Sequence, residues 1–205
     1  MADQDAKVIA SDSGHKLHKL LAEVRACRLC EDVLPLGPNP VVRASSTARL
    51  LIVGQAPGTR VHKTGIPWND PSGDRLRDWL GWSREQFYDE SMTAIVPMGF
   101  CYPGKGKSGD LPPRPECASA WHDRLLALMP HIELVLLVGQ YAQKHYLDKP
   151  YGTLTETVRH FADYGPLYLP LPHPSPRNQL WLRRNPWFER EVVPELKRRV
   201  RRFSG

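Results

Sequence analysis

The sequence predicts an α/β fold, a three-layer α/β/α sandwich with a central, mostly parallel sheet of four strands. Short apolar runs each end in a loop containing glycine or proline, and stretches with helical spacing separate these runs. Strands that alternate with helices form a parallel sheet covered on both faces. The chain of 205 residues also has the length of one domain.

The four apolar runs are the predicted strands, and their uninterrupted hydrophobicity is typical of strands buried on both faces. They are residues 49–53, 93–96, 133–138 and 167–169. The last run is the shortest and continues into a proline-rich segment. Because ligands of such sheets bind beyond the carboxyl ends of the strands, we expect function in the loops that follow residues 53, 96 and 169.

Helical spacing between these runs predicts the covering helices. They are residues 15–26, 74–80, 118–128, 140–147 and 188–199. In the first of them, four aliphatic residues fall on one face: Leu17, Leu20, Leu21 and Val24. Residues 1–14 are predicted to be a disordered terminus, and residues 15–205 a single domain without an interdomain linker.

Charge and hydropathy narrow the classes of partner. The net charge of +6 is concentrated near the end of the chain, in residues 197–202, which permits a nucleic-acid partner but also suits a solvated last helix. No apolar run approaches the ~20 residues of a membrane span, and residues 1–13 do not have the pattern of a signal peptide. We therefore expect a monomeric cytoplasmic protein without a membrane partner, associated with the nucleoid in a prokaryote.

The sequence contains four cysteines and no others. Cys27 and Cys30 form a CxxC pair, and Cys101 and Cys117 lie farther along the chain. Four thiolates suit a tetrahedral zinc ion or an iron–sulfur cluster, because soft sulfur ligands select those metals. Two disulfides or four unrelated thiols are the alternatives, and the absence of a signal-peptide pattern argues against disulfides.

Two loops carry recognisable motifs. Residues 54–58, GQAPG, follow the first predicted strand and are called the first motif below. Residues 173–178, HPSPRN, follow the last strand and are called the second motif. With the cysteines, these loops make the chain resemble the uracil-DNA glycosylase superfamily over about residues 27–195.

The cysteine pattern is similar to that of the iron–sulfur enzymes of families 4 and 5, while HPSPRN has the form found in single-strand-selective monofunctional enzymes. The resemblance implies an enzyme that flips uracil out of DNA and hydrolyses its glycosidic bond, leaving an abasic site for base-excision repair. It also implies a [4Fe-4S] cluster on the four cysteines, with zinc as the alternative, and no nucleotide cofactor. Hypoxanthine and xanthine remain open as further substrates.

Two non-enzymatic alternatives remain. The first is a non-catalytic protein that binds damaged bases or abasic DNA through the same pocket. The second is a zinc-stapled DNA-binding module, which would leave HPSPRN unexplained. No lysine occupies a motif position expected of a Schiff-base nucleophile, so strand cleavage is not predicted.

The catalytic roles implied by the resemblance fall on His173 and Asp70. His173 would donate a hydrogen bond to the base carbonyl on which charge develops. Asp70 matches the family-5 catalytic aspartate when residues 72–74 are used as the anchor, and it would orient the attacking water. The competing interpretation is that Asp70 caps a helix beginning near Pro71, and both roles can hold.

Base recognition is assigned to residues around these two. Trp68 would stack on the flipped base, with a core tryptophan as the alternative. Gln55 would orient the base or a water, next to Ala56, which stands where classical enzymes have an aspartate. Asn178 is also placed among the substrate-binding residues.

Two further assignments complete the candidate site. Pro97 stands where many relatives carry a base-reading asparagine, which leaves backbone groups of Met98 and Gly99 for that task. DNA binding is assigned to a rigid turn and the residue after it, which would hold a phosphate or wedge into the gap left by the base. The DNA-binding residues are Pro174, Ser175, Pro176 and Arg177.

Overall fold

The computed structural model describes residues 2–107 and 109–203, and its centre is an all-parallel sheet of four strands. The strands are β1 (Leu50–Val53), β2 (Thr93–Ile95), β3 (Leu134–Val138) and β4 (Tyr168–Leu171). They lie in the order β2-β1-β3-β4. All four predicted strands and the parallel α/β sandwich are confirmed.

Helices precede and connect the strands. Those up to β3 are α1 (Ala2–Arg25), α2 (Thr59–Thr64), α3 (Pro71–Leu80), α4 (Arg84–Tyr88), α5 (Pro115–Cys117) and α6 (Asp123–Leu126). The later ones are α7 (Gln140–Tyr146), α8 (Leu154–Arg159), α9 (Gln179–Arg184) and α10 (Val193–Arg201). Short 3₁₀ and π segments complete the helical structure, at Glu31–Val33, Ala118–His122, Phe161–Tyr164, Pro176–Asn178 and Phe188–Val192. None of the helices in the described ranges has the length and apolar composition needed to cross a bilayer.

Alternate residues of the strands face two separate cores, which explains the three layers. Leu51 and Val53 of β1 pack in the core covered by α1, α5, α6 and α7. Leu50 and Ile52 pack in the opposite core, under α3, α8, α9 and α10. The predicted apolar face of α1 is buried throughout, and Val24 is completely inaccessible.

Helix α1 is longer than the first helix predicted from the sequence, residues 15–26. It begins at Ala2, while Met1 lies outside the described residues. The segment before residue 15 contains alanine and charged residues without proline, so the anchored part of the helix can extend through it. The short helices α2, α4, α8 and α9 were not predicted, because five or six residues are too few to establish a helical period.

Candidate active site

The two motifs meet at the carboxyl edge of the sheet, where they line one cavity of about 500 Å³. Nine of the residues predicted for the site line it: Gln55, Ala56, Trp68, Asp70, His173, Ser175, Pro176, Arg177 and Asn178. The strand order explains why the two motifs are neighbours, because β1 and β4 both flank β3 and end at the same edge of the sheet.

Asp70 lies in this cavity and also begins helix α3. Its side chain accepts a hydrogen bond of 2.9 Å from the backbone N–H of Gly73, and Pro71 occupies the first helical turn. This is the capping geometry considered from the sequence. Because the cap uses Oδ1, the carboxylate is held in one orientation at the cavity wall.

The backbone of Trp68 is held in an unusual conformation. Its φ of +56° is the only positive value for a non-glycine residue in the described ranges. Such a conformation costs about 1 to 3 kcal/mol and is found mainly where the surrounding structure enforces it. Here the buried guanidinium of Arg77 donates to the Trp68 carbonyl, and that carbonyl leaves no room for a side chain on Gly73.

The Trp68 ring is fixed between the two motifs. A Cβ on Gly54 would lie 2.8 Å from Cζ2 of the ring, so glycine is needed for this close approach. On the other side, the ring centroid lies 5.6 Å from that of His173, with the planes tilted by 31°. The ring is therefore a wall of the cavity and also packs on the core.

Replacement of Gly54 by alanine tests this packing. The added methyl group must displace the indole, so we expect a loss of about 1 to 3 kcal/mol in the free energy of unfolding and a shifted tryptophan fluorescence. Gly152→Ala is the matched control, because a Cβ there would meet nothing within 4 Å. Urea unfolding of the two variants checks the difference, and an unchanged midpoint for Gly54→Ala would contradict the described contact.

His173 is partly buried beside Asp70, and a hydrogen bond to its ring defines which nitrogen carries the proton. The backbone N–H of Ser175 donates to Nδ1 at 3.2 Å, so the ring proton of the neutral imidazole is on Nε2. Burial lowers the pKa of His173, and the nearby Asp70 carboxylate opposes that shift. The ring is therefore a neutral Nε2–H donor at the cavity.

Three side chains hold the second motif in shape. Asn178 Nδ2 donates to the His173 carbonyl at 2.7 Å, and the Arg177 backbone N–H donates to Ser175 Oγ at 3.2 Å. Arg75 of α3 donates to the carbonyls of Pro174 and Ser175, at 3.4 and 3.2 Å. Arg75 therefore ties the helix capped by Asp70 to the loop that carries His173, a link that no sequence pattern indicated.

Three predicted residues lie outside the cavity lining. The N–H groups of Met98 and Gly99 donate to the carbonyls of Gly54 and Gln55, at 2.9 Å each, and Met98 is buried in the core. These two N–H groups therefore already donate to the first motif rather than to a base. Within the second motif Pro174 is buried, so the motif presents Pro176 and Arg177 at its exposed face.

Pro97 does line the cavity, and a buried histidine holds it there. His122 Nε2 lies 3.0 Å from the Pro97 carbonyl and Nδ1 lies 2.7 Å from the Tyr146 hydroxyl. Since a carbonyl can only accept, Nε2 carries the proton. Burial lowers the pKa of His122 to about 4, which keeps it neutral. His122 was not predicted, because its contacts join segments distant in sequence.

A second carboxylate in the cavity was also missed. Asp110 lies between Cys101 and Cys117, and it lines the cavity together with Asp70 and His173. Burial raises the pKa of Asp110, Asp70 adds to the rise, and Arg177 and Lys105 oppose it. The surrounding sequence, rich in glycine and proline, gives no periodic signal that would place it there.

The four cysteines line a second, smaller cavity. Cys27, Cys30, Cys101 and Cys117 all line it, and all four are free thiols. Burial raises the pKa of Cys117 to about 12, and the other three cysteines add to the shift. Apart from Arg114, the other lining residues are apolar. Four thiols with a nearby cation are a chemically suitable donor set for a thiolate-ligated centre.

The structure does not draw these side chains together around a single ion position. Over residues 2–107 and 109–203, no group of three or more histidine, cysteine, aspartate or glutamate side chains has the arrangement that one ion requires. All four cysteines are free thiols, so the structure contains no disulfide between them.

A comparison with protein-family models identifies the chain's relatives. The model described as the uracil DNA glycosylase superfamily matches residues 42–197. The matched range includes both motifs and every residue that lines the larger cavity except Val41. Cys27 and Cys30 lie before it.

Proposed function

The chain belongs to the uracil DNA glycosylase superfamily, and from that premise we propose that it is a monofunctional glycosylase that excises uracil from DNA. The observation that carries the proposal is the convergence of Asp70, Trp68 and a neutral His173 on one cavity at the carboxyl edge of the sheet. The product would be an abasic site, the substrate of the later steps of base-excision repair.

The leaving base requires stabilisation of negative charge. When the bond between C1′ and the base nitrogen breaks, the bonding electron pair moves onto the base and its carbonyl oxygens. A fixed N–H donor directed at such an oxygen stabilises the transition state more than the ground state. His173 supplies that donor from Nε2, because Nδ1 accepts from Ser175.

The sugar develops positive charge as the bond breaks, so it requires a negative group beside it and a water molecule to attack it. Asp70 supplies a carboxylate that offsets the positive charge on the deoxyribose and orients the attacking water. Its capping bond to Gly73 holds it ready before substrate arrives. Ala56 carries no acid in the first motif, so this role passes to Asp70.

Recognition of a flipped base is assigned to Trp68, Gln55 and Asn178. Trp68 supplies a stacking face, although its strained backbone allows little adjustment. The amide nitrogens of Gln55 and Asn178 donate to the carbonyls of Leu111 and His173, which leaves their carbonyl oxygens to accept from the base. Arg177 and Pro176 at the exposed face of the second motif would contact the DNA strand.

We further propose that Cys27, Cys30, Cys101 and Cys117 hold a [4Fe-4S] cluster, with zinc as the alternative. The support is the donor set itself, four free thiols around one cavity. Such a centre would be structural, because it would join the segment after α1 to the loop after β2 and to α5. The residues of the catalytic steps above lie in the other cavity.

Iron and sulfide analysis tests this assignment. Anaerobically purified protein is expected to be brown and to contain iron and acid-labile sulfide in equal amounts. Cys101→Ser is expected to lose the colour and to unfold at a lower temperature, because metal-binding energy contributes to folding energy. A colourless protein with stoichiometric zinc would replace the cluster by zinc, and a metal-free protein of full stability would reject both.

The alternative is a non-catalytic protein that binds damaged bases or abasic sites. Ala56 in the first motif and Pro97 at the asparagine position favour it, since both remove groups used in relatives. It predicts tight binding to uracil-containing or abasic DNA without release of the base.

An oligonucleotide assay separates these functions. A labelled strand with one uracil is incubated with the protein in EDTA and then treated with alkali, with single- and double-stranded forms run in parallel. We expect scission only after alkali, which is the signature of a monofunctional glycosylase. Scission without alkali would indicate a lyase, and none in either form would remove the uracil assignment.

A further inference from the structure

Backbone pairing within the loop between β2 and α5 places Asp110 at the cavity. Lys105 and Asp110 form an antiparallel bridge, and the Leu111 N–H donates to the Gly104 carbonyl at 2.8 Å. Gln55 of the first motif donates to the Leu111 carbonyl at 3.2 Å. The position of Asp110 is therefore set by backbone pairing on one side and by the first motif on the other.

The two carboxylates of the cavity are in different situations. Asp70 uses one oxygen to cap α3 through Gly73. Asp110 lines the same cavity, but within the described residues no hydrogen bond or ion pair engages its carboxylate. Both carboxylates line one cavity, and Asp70 adds to the rise that burial causes in the pKa of Asp110, while Arg177 and Lys105 oppose it.

Two interacting carboxylates in different environments are a common arrangement for dividing electrostatic and proton-transfer roles. The capped, oriented carboxylate suits the charge-stabilising role. The carboxylate without a hydrogen-bond donor keeps both oxygens available to accept a proton. A raised pKa also makes a carboxylate a stronger base once it is ionised.

We propose that Asp110 is a catalytic residue that accepts the proton of the attacking water, an inference that rests on the proposed glycosylase function. As the water oxygen bonds to C1′, the glycosidic bond breaks and its electron pair leaves with the base, where His173 stabilises the charge. The water proton passes to the Asp110 carboxylate, and Asp70 offsets the positive charge on the sugar. Charge and atoms balance without any further reactant.

Single-turnover excision from a single-uracil oligonucleotide tests the proposal. We expect Asp110→Asn to lower the rate about 100-fold or more, with the affinity for DNA retained, because a general base contributes a factor of this size. Asp148→Asn is the matched control, since Asp148 is exposed and lines a different groove. Circular dichroism and thermal unfolding check that Asp110→Asn folds, and the bridge at this position uses backbone groups only.

The pH profile separates catalysis from a structural effect. Only the ionised carboxylate accepts a proton, so the wild-type rate should fall as the pH falls through the raised pKa of Asp110. Asp110→Asn should lose this acidic limb, whereas a variant that merely distorts the loop would keep it. Asp110→Glu, which keeps a carboxylate, should recover part of the rate.

The outcomes are distinguishable. An active wild type with Asp110→Asn within threefold of its rate would overturn the inference and leave the proposed function standing. The same holds if the acidic limb persists in Asp110→Asn. A wild type that releases no uracil would overturn the proposed function, and the inference would fall with it.

Discussion

Replacement of His173 by alanine is expected to lower the single-turnover rate of uracil excision about 100- to 1000-fold. This is the usual cost of removing one preorganised donor to a developing oxyanion. The donor is specific to Nε2, because Nδ1 accepts the Ser175 N–H. Affinity for uncleaved DNA should change little, since the charge on the base develops only as the bond breaks.

The control for this variant is His131→Ala, because His131 is exposed and precedes β3 at the opposite edge of the sheet. It should retain the wild-type rate. A His173→Ala rate within tenfold of wild type would mean that another group stabilises the leaving base.

The pH dependence provides a second check on His173. Burial lowers its pKa, so the ring is neutral at pH 7 and does not change charge at higher pH. We therefore expect no loss of rate attributable to a histidine between about pH 7 and 9. If the wild-type rate instead declined as the pH rose through 6.5 to 7, and the rate of His173→Ala did not, the protonated form of His173 would be required.

Asp70 is the second position with a large expected effect. Asp70→Asn should lower the excision rate about 100-fold or more, because the charge facing the sugar is lost. The fold should be little affected, since asparagine caps helices about as well as aspartate. Asp70→Ala should lose the same activity and in addition about 1 kcal/mol of unfolding free energy, through the lost bond to Gly73.

The pair of variants distinguishes the two interpretations of Asp70. If it only caps α3, Asp70→Asn keeps both activity and stability, and only Asp70→Ala is impaired. If it also acts on the substrate, both variants lose activity and only alanine loses stability. Kinetics combined with urea unfolding of the same two proteins gives the answer.

The parts of this molecule that the sequence predicts are those set by local pattern. Fully apolar runs such as residues 134–138 are buried on both faces in any α/β fold, so the sheet could be placed without tertiary information. The motifs follow β1 and β4, whose carboxyl ends share one edge, and this topology brings His173 to Asp70.

The missed features depend on contacts between distant segments. Asp110 reaches the cavity because its loop folds back and Gln55 holds it, and no local pattern encodes that path. The strained backbone of Trp68 depends on Arg77 and Gly73, which act on its carbonyl from the next helix. The backbone bonds of Met98 and Gly99 to the first motif are likewise invisible in sequence.

Mass spectrometry of the free base released in a single turnover tests the central claim most directly. A single-stranded oligonucleotide with one uracil is incubated with excess protein in EDTA, and wild type is compared with the double variant Asp70→Asn/His173→Ala. We expect one equivalent of free uracil from wild type, none above background from the double variant, and an intact abasic strand. Tight binding of the oligonucleotide without any released base would contradict the account and identify a binding protein instead.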